Sequence, residues 1–482
     1  MDLKTQAFQG VKWTSLASVC NVIIQFLRIV ILARILEKSD FGLMAIVSMI
    51  MGFMNLFSEM GISSAILHRQ TISINEYSSL YWFNLIVNTI LFLFVCLITP
   101  LITLFYQEPQ LTTLIPLMGI NLFFTAFGRQ FAVIAQKELH FKLISLIEIL
   151  TNIISMVPAV ILALNSLGVY SLIYSTLFAS FSSNILYFLF IRKGHKIIFH
   201  YKLSETKPFL KIGIYQVGGQ IINYFNTQFD VIIIGKLLGT ESLGVYNLAK
   251  NLAMRPAQII NPIVVKIAAP VLSKVQTDLS ALKRGYLRII KSLSCINYPV
   301  YFFIAILSAP IIKLVYDIDN REMTIILSIL SFYYMLRSTG NPLGGLVIAT
   351  GRTDIEFYWN VGMLIVTPAF IYLGCRYSLT GAAIVQLLIM VLGYIPGWKF
   401  LYNKLIGVSL KEYSLQLVPY LLFSSIIAII IFLFLKLFVF TAIISIVIGF
   451  ILFALAYIII IRFFDKEMFK YIYYSCLKIL KK

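Results

Sequence analysis

Of 482 residues, 60% are hydrophobic and 12% charged, against about 25% charged in an ordinary soluble protein. No water-soluble fold hides that much apolar surface, and a mean hydropathy of +0.91 says the same. The chain reads as an all-α, polytopic membrane protein whose natural solvent is lipid. The net charge of +19 is accounted for by topology, below, and calls for no nucleic acid.

A span needs about 20 mostly apolar residues, and the sequence predicts fourteen. The first, near 13–35, follows Lys4 and Lys12 and lacks a small-residue cleavage site, so it is expected to stay as a helix. It carries Thr14, Ser18, Asn21, Gln25 and Arg28 at steps of 4, 3, 4 and 3, which places them in an arc of about 80°. The second, near 41–63, carries Ser48, Gly52, Asn55 and Glu59. Helices near 79–105, 111–131, 143–164 and 167–191 follow, the fifth with Glu148, Thr151, Asn152 and Ser155 on one side. After a basic connection near 192–209, the helix near 210–234 carries Gln216, Gln220, Asn223, Thr227 and Asp230. That near 243–268 carries Asn247, Lys250, Asn251, Gln258 and Asn261, with Arg255 at the edge. Helices near 289–313, 323–349 (with Arg337), 356–375, 379–402, 416–435 and 438–461 complete the set.

Orientation follows from lysine and arginine bias. With the N-terminus inside, inner segments take 26 of the 39 cationic residues, outer loops 7 and helix interiors 6; the 20 acidic residues divide 10, 7 and 3. Both termini are therefore expected in the cytoplasm. The segments Arg192–Lys211, Lys274–Lys291 and Arg462–Lys482 carry most of the inner charge, where anionic lipid heads are a further partner.

An internal repeat is visible. Ala33-Arg34-Ile35-Leu36-Glu37-Lys38-Ser39-Asp40-Phe41-Gly42 recurs 202 residues later as Gly235-Lys236-Leu237-Leu238-Gly239-Thr240-Glu241-Ser242-Leu243-Gly244. Pro158-Ala159 and Gly168 find counterparts in Pro368-Ala369 and Gly381. The predicted organisation is a six-helix bundle over 1–202, a second over 203–410, and an extra helix pair with a basic tail over 411–482. Six is even, so both copies enter the membrane in the same sense, about an axis along its normal.

Four helices paired by this symmetry each carry a polar stripe. Polar residues are costly in hydrocarbon and normally face a bundle interior or a wet cavity, so the stripes predict a water-filled cleft. The plainer alternative, hydrogen-bonded glue between helices, explains a lone Ser, Thr or Asn well. It explains a five-member stripe ending in Arg28 or Asp230 poorly. Candidate substrate-binding residues of a cationic cleft are Arg28, Lys250, Arg255, Arg337, Asn21, Gln25, Gln220 and Asn223; Asp230 and Glu59 are candidates for ion coupling or ion pairing. Excess positive charge lowers the cost of desolvating an anionic head group, and the carboxylates offer a seat for a proton or Na⁺. Three prolines (Pro256, Pro262, Pro270) suggest a bent eighth helix.

No GxxxxGK[ST] sequence is present, so no P-loop is expected. The histidines (His68, His140, His195, His200) fall in inner loops without metal-ligand spacing, and the five cysteines are scattered without CxxC pairs. With connections too short for a catalytic domain, the chain reads as a non-enzyme without cofactor or metal.

Gly10-Val11-Lys12-Trp13-Thr14-Ser15, Leu32-Ala33-Arg34-Ile35-Leu36 and Asp40-Phe41-Gly42-Leu43-Met44-Ala45 resemble the N-terminal pattern of Wzx-type polysaccharide flippases, in the colanic-acid and teichuronic-acid exporter branch. Ile234-Gly235-Lys236-Leu237-Leu238-Gly239, Leu243-Gly244-Val245-Tyr246 and Pro270-Val271-Leu272-Ser273-Lys274-Val275-Gln276 are similar to that branch's second-half signature. Ala269 stands where a Phe is expected. The likeness covers about residues 5–410; the last two helices match only in being hydrophobic. It implies the multidrug/oligosaccharidyl-lipid/polysaccharide exporter (MOP, MATE-like) superfold. The cargo implied is an undecaprenyl-diphosphate-linked oligosaccharide, flipped across the bacterial inner membrane by alternating access. The implied drive is H⁺ or Na⁺ antiport, with glycan polymerase machinery as a further partner. The alternatives are a cation-coupled multidrug exporter of the same superfold, which would favour acidic residues in its cleft, and a membrane enzyme joining glycans, which the short outer loops disfavour.

Overall fold

The computed structural model describes residues 3–470 except 60–62, 64–65, 68, 70–71, 193–195, 276–277 and 439. His68, His195 and Cys476 lie outside the described residues, as do the side chains of Glu59 and Gln216. Among the described residues the fold is helical without strands: α1 Leu3–Ala33, α2 Lys38–Glu59, α3 Ile74–Tyr106, α4 Leu111–Gly119, α5 Asn121–Lys137, α6 Phe141–Leu164, α7 Val169–Ile191, α8 Leu203–Lys274, α9 Leu279–Ile306 and α10 Ser308–Tyr316. There follow α11 Arg321–Gly340, α12 Leu343–Thr350, α13 Thr353–Cys375, α14 Leu379–Leu392, α15 Tyr394–Gly397, a π-helical turn Trp398–Asn403, α16 Lys404–Ile406, α17 Leu410–Ser414, α18 Val418–Leu437 and α19 Ala442–Phe464.

Eleven helices are long and apolar enough to cross a membrane, or twelve if the bent pair Leu379–Leu392 and Tyr394–Ile406 is one span. The difference from fourteen has two physical sources. α8 is interrupted at Gly239, whose φ of 80° is open to glycine, so two predicted spans merge into one element. α11 holds Arg321, Glu322 and Arg337 and is too polar to qualify on hydropathy alone. The arrangement is consistent with the fourteen predicted spans.

Chain chemistry sets the helix ends. Ser73 with Glu76, and Ser409 with Glu412, form capping boxes at the starts of α3 and α17. Asp278, Asn320, Ser378 and Thr441 cap α9, α11, α14 and α19 with their side chains. Gly168 caps α7 at φ 54°. Pro158 and Pro368, and likewise Gly168 and Ser378, stand 210 residues apart. Gly168 and Ser378 both stand at helix starts, while Gly381 lies one turn inside α14, packed against Gly374.

The chain forms two compact units, Met1–Asn247 and Leu248–Lys482. In the first, α6 packs on α1 and α7, α5 on α7, and α3 on α4 and α5. Tyr81, Phe131, Ile134, Ile147 and Tyr187 form a core cluster, and Gly128 lets α5 lie directly on Asn184 of α7. In the second, α9 packs on α11 and α18, α14 on α11 and α13, and α18 on α19. Its interior is rich in tyrosine, and each hydroxyl named here has a partner: Tyr301 accepts from Ala257 N (3.2 Å), Tyr316 donates to Leu248 O (3.1 Å), and Tyr457 donates to Cys295 O (2.7 Å). Outward faces are apolar, as a lipid-facing surface requires; Leu97, Leu104 and Leu437 are about three-quarters exposed (74%, 75% and 79%).

Candidate functional site

The polar face of α1 divides into two kinds of residue. Thr14 and Ser18 spend their hydroxyls on carbonyls four residues back, those of Gly10 (2.9 Å) and Thr14 (2.8 Å), a local bond that satisfies them inside a helix. Asn21 instead reaches across to α6. Its Nδ2 donates to Glu148 Oε2 (3.3 Å), and its Oδ1 accepts from Asn152 Nδ2 (3.1 Å), which also donates to the Glu148 carbonyl (2.9 Å). The Glu148 carboxylate is thereby held by Asn21, which Asn152 in turn orients, and the contact stays open on one side. Gln25 and Arg28 follow on the same helix, both half-buried.

The first limb of α8 brings Gln220 and Asn223 to the surface. Thr227 bonds back to Tyr224 O (2.8 Å). Asp230 is buried at 5% exposure. Its Oδ2 accepts from the Tyr246 hydroxyl (2.7 Å) and its Oδ1 from Val231 N (2.8 Å). Tyr246 stands on the second limb, so Asp230 ties the two limbs together across the break at Gly239. Tyr224 donates its hydroxyl to Met49 O and sits in the notch left by Gly52, while Phe53 packs on Phe225 (5.3 Å between ring centres). Nearby, α2 and the second limb cross closely at Gly42 and Gly244.

Of the four cations assigned to the cleft, Arg28 lies in the first unit and Lys250, Arg255 and Arg337 in the second. All are half-buried. Arg255 Nη1 donates to Gln258 Oε1 (3.3 Å). Arg337 Nη1 donates to the Tyr333 hydroxyl (2.7 Å) with its guanidinium 5.8 Å from that ring's centre. Asn261, read as part of the polar stripe, is buried glue: it donates to Ser338 O (3.1 Å) and accepts from Asn297 Nδ2 (3.1 Å).

Glu148, which shares one helical face with Thr151, Asn152 and Ser155 in the sequence, joins α6 to α1 through Asn21. Sequence reasoning missed Tyr224, because a tyrosine in an apolar helix looks like ordinary core.

Outside the spans, the stretch after α7 is clamped onto the start of α3. Ile198 N and Lys202 N donate to the hydroxyls of Ser78 (3.0 Å) and Ser79 (3.1 Å), and Trp82 Nε1 donates to Ile198 O (3.1 Å). Glu205 completes the clamp, accepting from Ser79 Oγ (2.5 Å) and meeting His200 Nε2 (3.1 Å). Hydrogen bonds from Ser79 and then His200 hold its carboxyl below the usual glutamate value.

Residues 31–323 match the family described as polysaccharide biosynthesis protein. The teichuronic acid biosynthesis protein TuaB of Bacillus subtilis (strain 168) is 29% identical over 413 residues, covering 86% of this chain and 85% of that protein. The lipopolysaccharide biosynthesis protein WzxC of Escherichia coli (strain K12) is 28% identical over 418 residues, covering 86% and 85%. Among solved structures, the lipid II flippase MurJ in an inward closed conformation superposes with a TM-score of 0.76 at 17% identity, over 94% of this chain and 99% of that one. The exporter superfold implied by the sequence is the fold observed.

Proposed function

Since the chain belongs to the polysaccharide biosynthesis protein family, we propose that it flips undecaprenyl-diphosphate-linked oligosaccharide repeat units across the bacterial inner membrane by ion-coupled alternating access. The cargo serves capsule, O-antigen or exopolysaccharide assembly and passes to glycan polymerase machinery on the outer side. The observation that carries this reading is the α1 stripe, which places Asn21, bonded to Glu148 and Asn152 of α6, and the half-buried cation Arg28 on one helix face. The shared fold of a lipid II flippase supports it.

In this mechanism both termini are cytoplasmic. Two six-helix bundles, 1–202 and 203–410, exchange access about an axis along the membrane normal, and 411–482 is an appended pair. Arg28, Lys250, Arg255 and Arg337 compensate the diphosphate, a task suited to guanidinium forks and ammonium groups. Asn21, Gln25, Gln220 and Asn223 offer neutral donors and acceptors to sugar hydroxyls. The coupling ion, H⁺ or Na⁺, is assigned to Glu148, whose contact with Asn21 is open, ahead of the sequence candidate Asp230, which is buried against Tyr246 and Val231 N. Glu59 is a second carboxylate on the predicted α2 stripe. No bond is made or broken in the cargo.

The test uses cells that lack this protein and keep the glycan-building enzymes. Diphosphate-linked repeat units should accumulate on the cytoplasmic leaflet, and the intact chain should relieve this while a well-expressed Arg28→Ala protein does not. Repeat units stalled on the outer leaflet would overturn the assignment, since the missing step would then follow flipping. Normal repeat-unit levels with changed sensitivity to cationic drugs would also overturn it.

A further inference from the structure

In the second unit, α13 and the α14–α15 pair line a half-open cavity of about 620 Å³, a volume typical of a built small-molecule site. Its walls are apolar, with Trp359, Val366, Phe370 and Leu392 among them. Lining residues on α13 run from Asp354 to Phe370, so the slot is about 24 Å long at 1.5 Å per residue. That is the form of a hydrocarbon chain, not of a compact solute. Arg352, just before α13, and Lys404, just after the π-helical turn, both line the slot, and α13 packs on that turn. Arg352 is bidentate to Asp354 (2.9 and 2.9 Å), so the three charged residues that line the slot, with Lys404, sum to +1. The slot exists because α14 and α15 bend by 41° at their junction, where Gly393 and Pro396 line it.

We propose that this slot binds one anionic phospholipid of the inner leaflet, its acyl chain between α13 and α14 and its phosphate on Lys404 and Arg352. The net positive charge selects the anionic head, and the length of the slot selects an acyl chain over the far longer polyprenyl tail of a cargo lipid. The site is separate from the α1 stripe and does not rest on the transported substrate.

The test reads Trp359 fluorescence in vesicles holding either acyl-brominated phosphatidylglycerol or acyl-brominated phosphatidylcholine, with Trp359→Phe defining the signal. Phosphatidylglycerol should quench at a mole fraction at least about threefold lower. Lys404→Gln should remove that preference. Gly362→Leu should remove quenching by both lipids, since a side chain at Gly362 projects without a neighbour within 4 Å. As a second measurement, phosphatidylglycerol should raise the unfolding midpoint of the wild-type protein, as any ligand of the folded state does, and raise that of Gly362→Leu less. Equal quenching by the two lipids, or a preference unchanged in both variants, would overturn the proposal. So would displacement by a polyprenyl phosphate at a lower mole fraction than phosphatidylglycerol, which would make the slot a cargo-tail site.

Discussion

Gly42 and Gly244 make a reciprocal contact. A methyl group on Gly42 would overlap the carbonyl of Thr240, and one on Gly244 would overlap the carbonyl of Lys38. Gly42 and Gly244 are 202 residues apart, and so are Lys38 and Thr240. Each copy of the repeated string therefore presses its glycine on the same carbonyl of the other, the self-complementary pattern that a two-fold relation produces. Such backbone approach is available to glycine alone and brings Cα–H groups onto carbonyl oxygens. What reads in the sequence as a repeated spelling is, within the first unit, a physical contact between the two copies.

Gly42→Ala and Gly244→Ala should each force the crossing apart, at a cost of about 1–3 kcal/mol from overpacking. Because they share one crossing, Gly42→Ala with Gly244→Ala should cost clearly less than the two single costs added. Unfolding midpoints of the purified variants measure this. Additive losses would mean that the two glycines act at independent sites.

The fold was legible in the sequence because lipid imposes a coarse and strong code: apolar runs of span length and helix-period polar stripes. Gly239 shows where that code blurs. The repeat marks it as a turn, yet the turn is so short that the two helices it joins form one element. Within the site, the stripe on α1 was legible as a face but not by role. Asn21 engages another helix, whereas Thr14 and Ser18 close on their own backbone, and helical spacing cannot distinguish these fates. Asp230 looked equivalent to Arg28 by position, but a tyrosine 16 residues downstream captures it, a long-range pairing with no local signature.

The two membrane carboxylates should separate by function. Glu148→Gln keeps an amide beside Asn21 and removes the charge, so transport should lose its dependence on the coupling-ion gradient and fall at least about tenfold. Asp230→Asn keeps one acceptor for Tyr246 or Val231 N and loses the other, at a cost near 1 kcal/mol, with the ion dependence retained. Flux into proteoliposomes with and without an imposed gradient distinguishes them. The reverse pattern would return the coupling role to Asp230.

One polar junction ties the C-terminal helix pair to α9 beside the apolar packing and the Tyr457 bond. Lys291 on α9 pairs with Asp465 Oδ2 (2.7 Å), which also accepts from the Tyr420 hydroxyl of α18 (2.5 Å), while Asp465 Oδ1 accepts from Met468 N (3.1 Å). Burial opposes the charge on Asp465, but the bonds from Lys291 and Tyr420 outweigh it and hold the carboxyl below its usual range. Lys291→Met should leave that partly buried carboxylate short of a partner and lower stability by about 1–3 kcal/mol. Limited proteolysis after α18 should accelerate in the variant; an unchanged rate would show that apolar packing alone holds the pair.

The Glu205 clamp makes a pH prediction with a definite sign. Its folded-state value lies below the ordinary glutamate value of 4.5 because Ser79 and His200 bond to the charged form. The unfolded chain therefore binds the proton more readily. The stabilisation is fully present above the ordinary value and is lost as pH falls through the depressed one. Comparing wild type with Glu205→Gln, the wild-type advantage in unfolding midpoint should be flat from about pH 6 to about pH 5 and shrink steadily toward about pH 3. Ser79→Ala removes the first of the two bonds and should shift the loss to higher pH. If the advantage instead holds constant to about pH 3, or grows with acid, the clamp draws its strength from the backbone bond to Ser78 and the edge-to-face contact of Trp82 with Phe199 (4.8 Å between ring centres), not from the carboxylate.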